Sequence, residues 1–204
     1  MPPSHFSTKE RILDAAEELF ARRGFDGASL RQVTSNAGVN LASVNYHFGS
    51  KDKLIEEVFR RRLDILNGQR LEALDRLTRQ ATLEDVLMAF IQPALELSRE
   101  GRGGGAFVRI LARAYVEHDE QLRSFLSDNY GDVLKRFAAA LAERLPTLDK
   151  QELYWRLDIV TGALTYAMAN FGIIRRQADI NEEQHMQQVM QHLVHFAAAG
   201  LRSA

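Results

Sequence analysis

Side chains able to form hydrogen bonds are concentrated near position 45, in the stretch GVNLASVNYHFGSKDK from Gly38 to Lys53. Ser43, Asn45 and Tyr46 can each donate and accept hydrogen bonds, and they lie within one short segment. Base edges in the major groove of DNA are recognised by side chains of this kind on the exposed face of a helix. The stretch therefore predicts a surface that recognises nucleic acid.

A glycine turn and two helix caps predict how this segment is held. Gly38 can adopt the positive φ of a tight turn, and Asn40 can cap the helix that follows it. The pattern predicts a helix over Leu41–Phe48, ended by Gly49, with Ser50 as the cap of the next helix. A helix, a tight turn and a short polar helix form a helix-turn-helix, whose second helix enters the major groove.

This short helix is predicted to have an outward and an inward side. Val44 and Phe48 are expected to turn inward, and Lys51 follows where its ammonium and the free amides of the next helix can meet a phosphate. Arg31 lies in the exposed first turn of the preceding helix. The outward side is predicted to consist of Leu41, Ala42, Ser43, Asn45 and Tyr46.

Two earlier helices are predicted to support the turn. Ser7 with Glu10, and Ser29 with Gln32, have the spacing of a capping box. The first of these helices carries a buried stripe at Ile12, Leu13, Ala16, Leu19 and Phe20.

The run from Ser7 to Leu63 resembles the DNA-binding domain of the tetracycline-repressor (TetR) family, through RILDAAEELFARRGF, AGV and VNYHFGSKDKLI. That family consists of dimeric, all-helical bacterial transcription regulators that are released from DNA by a ligand. The sequence departs from the family pattern at Ala42, commonly glycine, and at Asn45, commonly tyrosine, and the aromatic here is Tyr46. The pattern is followed at Gly38, Val39, Val44, His47, Phe48, Ser50, Lys51 and Leu54.

The resemblance implies roles for individual residues and a division of the chain. It implies an all-α fold of about nine helices, with a three-helix helix-turn-helix domain over 1–50, a long helix over 50–79 and a helical ligand-binding and dimerisation domain over 80–204. Base contacts are expected from Arg31, Ser43 and Tyr46, phosphate contacts from Tyr46, His47 and Lys51, and either kind from Asn45.

Two apolar stripes near the end of the chain predict a homodimer. With small residues beside them, they resemble half of a four-helix bundle whose other half is a second subunit, although they could instead complete the core of a single chain. The first stripe continues to Phe171. The expected interface residues are Leu157, Val160, Leu164, Met168, Met186, Met190, Leu193 and Ala197.

Aromatic and apolar residues of the 80–204 region could line a ligand pocket, or could form an ordinary core. Pro93 interrupts the helical hydrogen bonds of its segment and could open space beside it. The candidate lining residues are Phe90, Pro93, Phe107, Ile110, Leu111, Arg113, Tyr115, Trp155 and Tyr166.

Three other motifs have both a functional and a plain interpretation. The basic run Arg60–Arg62 could contact a DNA backbone or could be a solvated face balanced by nearby carboxylates. The glycine-rich stretch 101–105 lacks the strand and lysine of a phosphate loop and is expected to be a linker. His185, His192 and His195 share one helix face but lack the spacing of a zinc site, so no metal is expected.

Composition excludes several classes of protein. The 204 residues include no cysteine, which excludes disulfides and thiol catalysis, and no serine-hydrolase or HExxH motif is present, so neither an enzyme nor a cofactor is expected. No apolar run is long enough for a membrane span, so a cytoplasmic protein is expected. Residues 1–62 hold ten Lys or Arg against eight Asp or Glu, which suits contact with DNA at one end.

The sequence thus predicts a homodimeric repressor that binds a palindromic double-stranded DNA operator and responds to a small-molecule effector. The resemblance is closest to members that respond to fatty acids, so an acyl compound is one candidate effector. The alternative is a non-catalytic helical protein that binds a small molecule or acts as an adaptor.

Overall fold

The computed structural model describes residues 7–99, 103–116, 120–169 and 181–203, and these ranges contain nine α-helices and no strand. The expected all-α fold is therefore confirmed. The helices are α1 (Thr8–Arg23), α2 (Leu30–Ala37), α3 (Leu41–Phe48), α4 (Lys51–Asp75), α5 (Leu83–Arg99), α6 (Gly104–Val116), α7 (Glu120–Ala142), α8 (Lys150–Met168) and α9 (Glu182–Arg202).

The predicted caps of the first four helices are confirmed. Ser7 accepts a hydrogen bond from the amide of Glu10, and Ser29 forms a capping box with Gln32. Asn40 accepts a hydrogen bond from the amide of Ser43 at 2.8 Å, and the hydroxyl of Ser50 accepts one from the amide of Lys53 at 3.1 Å. These side chains satisfy amides that have no partner inside the first turn of a helix.

Several helix bounds differ from the prediction. Helix α4 ends at Asp75, short of the expected residue 79, and α6 begins at Gly104, inside the stretch expected to be a linker. Gly103 precedes α6 with φ of 96°. Residues 101 and 102 of that stretch, and Phe171 of the first apolar stripe, lie outside the described residues.

The chain divides into two compact units. Unit 1 comprises Met1–Asp64 and Glu100–Phe125, and unit 2 comprises Ile65–Arg99 and Leu126–Ala204. The core of unit 1 contains a series of aromatic contacts in which the ring centroids are 5.7 to 6.2 Å apart. In chain order the rings belong to Phe20, Phe25, Phe59 and Phe107.

In the basic run on α4, Arg60 is partly exposed and pairs with Glu57, as the plain interpretation expected, whereas Arg61 and Arg62 match neither interpretation. Arg61 and Arg62 are mostly buried and bind the carboxylate of Glu17 on α1, which is only 2% exposed. Arg61 also bonds to Asp14 at 2.7 Å. These cations therefore join α4 to α1. Their carboxylate partners are far away in the sequence and come close only because the chain folds back on itself.

Unit 2 contains the end of α4, α5, most of α7, α8 and α9. Helices α5, α8 and α9 contact one another. Most apolar residues of α5 are buried, and α5 contacts both α8 and α9. The ring centroids of Phe90 on α5 and Phe137 on α7 are 5.1 Å apart. None of the helices in the described ranges combines the length and apolar character needed to cross a membrane.

Candidate nucleic-acid interface

Helix α3 presents most of its polar residues to solvent. Val44 and Phe48 are buried, as predicted, and hold the helix against α1 and α2. Tyr46 is 86% exposed, the largest exposed fraction among the large apolar and aromatic side chains. The remaining residues of the helix are exposed or half-buried: Leu41, Ala42, Ser43, Asn45 and His47. Seven of the eight predicted DNA-contacting residues therefore lie on α3 or at the start of α4, in exposed or half-buried positions.

Ser43 is restricted to one hydrogen-bonding role. Its hydroxyl donates to the side-chain oxygen of Asn40 at 2.9 Å, and its amide donates to the same oxygen. The hydroxyl proton is therefore engaged inside the cap, and the free lone pairs of the oxygen can only accept. In contact with DNA, Ser43 would accept from an amino group such as N6 of adenine or N4 of cytosine.

Two cations near α3 remain available for an external anion. Arg31 is exposed and Lys51 is half-buried, and neither forms an ion pair with the residues that the structure describes. Lys53, by contrast, is held by Glu56 at 2.7 Å. Arg31 and Lys51 therefore fit the predicted phosphate and groove contacts, and Lys51 lies at the first turn of α4, where the helix dipole also favours an anion.

Lys9 on α1 contacts both α3 and α4. Its ammonium lies 5.9 Å from the centre of the Phe48 ring and donates to Glu57 on α4 at 2.9 Å. The hydrogen bond from Lys9 holds the pKa of the Glu57 carboxyl below its usual range, and the charges of Lys9 and Arg60 act in the same direction. One cation on α1 thus contacts both α3 and α4.

Arg11 is a residue of this region that sequence reasoning missed. From α1, its Nη2 atom donates to the carbonyl oxygens of Ala37 at 2.6 Å and Gly38 at 2.9 Å, in the turn between α2 and α3. The last turn of α2 contains no basic residue of its own. That absence is the sequence signal that favours a cation supplied from elsewhere in the chain.

Two family models match the chain. Residues 12–58 match bacterial regulatory proteins of the tetR family, and residues 88–200 match the tetracyclin repressor-like C-terminal domain. The second match alone spans more than half of the 204 residues. The chain belongs to the TetR family.

Relatives of this TetR-family protein include a curated repressor and solved structures. The HTH-type transcriptional repressor KstR2 of Mycolicibacterium smegmatis is 35% identical over 77 residues, which is 38% of this chain and 38% of KstR2. The chain thus matches less than two thirds of that relative's length. A TetR-like transcriptional regulator from Rhodococcus sp. RHA1 has a TM-score of 0.67 at 18% identity, covering 97% of both chains.

A second solved structure with the same fold carries two ligands. It is AibR in complex with isovaleryl coenzyme A and operator DNA, and it has a TM-score of 0.66 at 16% identity. The similarity covers 93% of this TetR-family chain and 97% of AibR.

The residues predicted to line a ligand pocket are not brought together in one unit. Phe90 and Pro93 are buried in α5 of unit 2, whereas Phe107 and Ile110 are buried in α6 of unit 1, with Leu111 and Arg113 half-buried beside them. Phe107 contacts the ring of Phe59 in the core of unit 1. Three others are exposed: Tyr115, Trp155 and Tyr166.

The residues predicted to form the dimer interface lie mostly inside their own chain. Five of the eight are buried within unit 2, so the plainer interpretation of the stripes, completion of the chain's own core, applies to them: Val160, Leu164, Met168, Leu193 and Ala197. Burial within unit 2 leaves these five side chains little surface with which to contact a second copy. The remaining three are half-buried: Leu157, Met186 and Met190.

A different apolar face of unit 2 is exposed. Trp155 and Ile159 on α8 are 64% and 65% exposed, and Phe196 on α9 is 66% exposed. Tyr166 continues the α8 face at helical spacing, and a Cβ built on Gly162 between them would have no atom within 4 Å. The spacing 155, 159, 162, 166 places these residues on one side of the helix.

The three histidines on α9 differ in exposure. His185 is half-buried, and His192 and His195 are exposed. Within the described ranges, no group of three or more histidine or acidic residues is placed to hold a metal ion.

Proposed function

We propose that this TetR-family protein is a transcription regulator, most simply a repressor, that binds a double-stranded DNA operator through α3. The observation that carries this proposal is the exposure of α3, which buries only Val44 and Phe48 and turns Asn45 and Tyr46 to solvent. A short helix contributes little to a core by itself, so a polar outer face on a fixed support suits contact with another molecule. The match to the tetR family over residues 12–58 supports the same conclusion.

In this proposal α3 lies in the major groove and its side chains divide between bases and backbone. Asn45 can donate to N7 and accept from N6 of adenine, Ser43 accepts from an exocyclic amine, and Tyr46 and Arg31 contact base edges. His47 and Lys51 bind phosphates on either side. The residues at positions 42 and 45 differ from the common family pattern, so the preferred operator should differ correspondingly from those of relatives that carry glycine and tyrosine there.

We propose that residues 1–50 form the DNA-binding domain, that helix α4 joins it to the rest of the chain, and that 80–204 form the ligand-binding and dimerisation domain. A homodimer is proposed because a twofold pair of α3 helices can bind both halves of a palindrome, about 34 to 36 Å or a multiple apart. The exposed apolar face of Trp155, Ile159, Tyr166 and Phe196 is the proposed interface, since water contact with these side chains is unfavourable.

The proposed effector is a small molecule that binds the 80–204 domain beside Pro93 on α5. Such a molecule weakens operator binding only if its affinity differs between the DNA-bound and the released conformations. An acyl thioester is the first candidate, because AibR, which has the same fold, is described in complex with isovaleryl coenzyme A. Neither catalysis nor a cofactor is part of this proposal, and the protein is proposed to act in the cytoplasm.

The decisive experiment is the selection of bound duplexes from random DNA, followed by fluorescence anisotropy of the selected duplex at several salt concentrations. We expect a palindromic consensus and a linear fall of log K with log salt. A matched control is the same protein with Asn45→Ala and Tyr46→Ala, which should lose sequence preference. Failure of the wild-type chain to bind any duplex in a salt-dependent manner would favour the helical adaptor or small-molecule carrier.

The effector is tested separately by thermal unfolding of the full chain. Isovaleryl coenzyme A and longer acyl coenzyme A thioesters should raise the midpoint, and free coenzyme A is the matched control. Stabilisation by cationic drugs or phenols alone would exclude acyl compounds as the effector class.

A further inference from the structure

The turn between α2 and α3 has carbonyl groups that its own backbone does not satisfy. At the end of α2 the amide of Val39 donates to Thr34 and the amide of Gly38 to Ser35, which is the Schellman pattern. No backbone amide among the described residues donates to the carbonyls of Ala37 or Gly38. These two oxygens therefore need a donor from outside the turn.

Arg11 supplies that donor from α1. Its Nη2 atom lies 2.6 Å from the oxygen of Ala37 and 2.9 Å from that of Gly38. A positive charge at the carboxyl end of a helix is also favoured by the helix dipole, and α2 has no basic residue in its last turn. Within the described residues Arg11 forms no ion pair with a carboxylate, and its side-chain hydrogen bonds go to these two carbonyls.

The residue at the turn is suited to this contact. Gly38 has φ of 63°, which disfavours any side chain, and a Cβ built there would lie 2.9 Å from Nη2 of Arg11. Glycine is thus required both for the turn and for the approach of the guanidinium. Asn40, which caps α3, follows two residues later.

We propose that Arg11 is a positioning residue for DNA recognition: it fixes the α2–α3 turn, and thereby the direction of α3, without contacting DNA. This inference rests on the proposed function. The rival role for an exposed guanidinium at this site is a direct phosphate contact. The two roles differ in salt dependence, because loss of one phosphate contact lowers the slope of log K against log salt by about one, whereas loss of a positioning contact leaves the slope unchanged.

The test compares Arg11→Met and Arg11→Lys with the control Arg22→Met in the full chain. Arg22 lies on the same helix and pairs with Glu18 at the exposed surface, away from the turn. Hydrogen exchange without DNA should show about tenfold faster exchange over residues 37–43 in Arg11→Met and wild-type rates in the control. Arg11→Lys should restore most of the protection, since an ammonium keeps both the charge and a donor.

The same variants are then measured on the duplex selected above. Arg11→Met should raise Kd about tenfold with an unchanged salt slope, an effect of the size that the loss of one charge-assisted hydrogen bond produces. Unchanged exchange over 37–43, or a slope that falls by about one, would overturn the positioning role. Altered exchange in a protein that binds no duplex at all would instead refute the proposed function and leave only the turn contact standing.

Discussion

The Glu17 carboxylate on α1 accepts hydrogen bonds from the Arg62 guanidinium on α4, with Nη2–Oε1 at 3.0 Å and Nε–Oε1 at 3.2 Å. Arg61 binds the same carboxylate, and Glu17 is 2% exposed. One buried anion on α1 is thus shared by two cations on α4, and all three residues belong to unit 1. Because Glu17 is buried, its loss would remove the buried anion that both arginines bind, and removing one partner of a buried ion pair is costly.

Substitution of Glu17 should therefore be costly. Glu17→Gln leaves Arg61 and Arg62 without their shared anion and should lower the free energy of unfolding by about 3 kcal/mol. The neighbouring Glu18→Gln is the matched control, since Glu18 pairs with Arg22 at the surface and should change stability by less than about 0.5 kcal/mol. Urea denaturation of both variants checks this, and equal effects would contradict a special role of the buried anion.

Gly103 packs against the same ion pair and should not tolerate a side chain. A Cβ at this position would lie 2.6 Å from Oε1 of Glu17 and closer still to Nη2 of Arg62, and φ is 96°. Gly103→Ala should therefore lower the free energy of unfolding by at least about 1 kcal/mol. Gly105→Ala, inside α6 with its nearest side-chain atom 3.8 Å away, should instead stabilise by about 0.5 kcal/mol. Thermal unfolding of the pair distinguishes them by sign.

The division of α3 into base and phosphate contacts predicts two kinds of DNA-binding defect. Lys51→Ala should weaken binding about equally on all duplexes and lower the salt slope by about one. Asn45→Ala should cost about 1 to 3 kcal/mol on the selected duplex and less on others, because a base contact is lost. Anisotropy titrations on the selected and a scrambled duplex measure both. If both variants behaved alike on both duplexes, α3 would not be the element that distinguishes sequences.

The exposed face of α8 and α9 predicts how the dimer can be broken. Trp155→Glu and Ile159→Glu each place a carboxylate in the proposed interface and should raise the dimer dissociation constant by about 100-fold or more, since an unpaired buried charge costs several kcal/mol. Leu134→Glu is the control, because Leu134 is a comparably exposed apolar residue on α7 of the same unit. Sedimentation velocity reports the outcome, and dimers that survive both α8 variants would exclude this face.

The lowered pKa of Glu57 predicts a pH dependence of stability. The bond from Lys9 favours the carboxylate in the folded protein, so its contribution is fully present above the ordinary carboxyl pKa of about 4.3 and is lost as pH falls below it, through the lowered folded value. Glu57→Gln should therefore reduce stability at pH 7 and have little effect near pH 3. Denaturation at both pH values tests the sign, and a constant difference between them would contradict it.

Local structure was largely determined by the sequence. The caps at Ser7, Ser29, Asn40 and Ser50, and the inward position of Val44, were predicted correctly because each depends on residues only three or four apart. The same local rules predicted that polar side chains of α3 would face outward. The periodicity of apolar residues along a helix does not show which other helix or subunit they pack against.

Only the tertiary structure decided the contacts between residues far apart in the chain. It showed that Val160 and Leu193 face their own core while Trp155 and Phe196 are exposed, because a helix with two apolar sides does not encode which one its own chain covers. It also brought Glu17 to Arg62, 45 residues away, and Arg11 to the turn at Gly38, 27 residues away. Spacing along a helix fixes which residues share a face, whereas an ion pair or a cap between helices depends on how the chain folds back on itself.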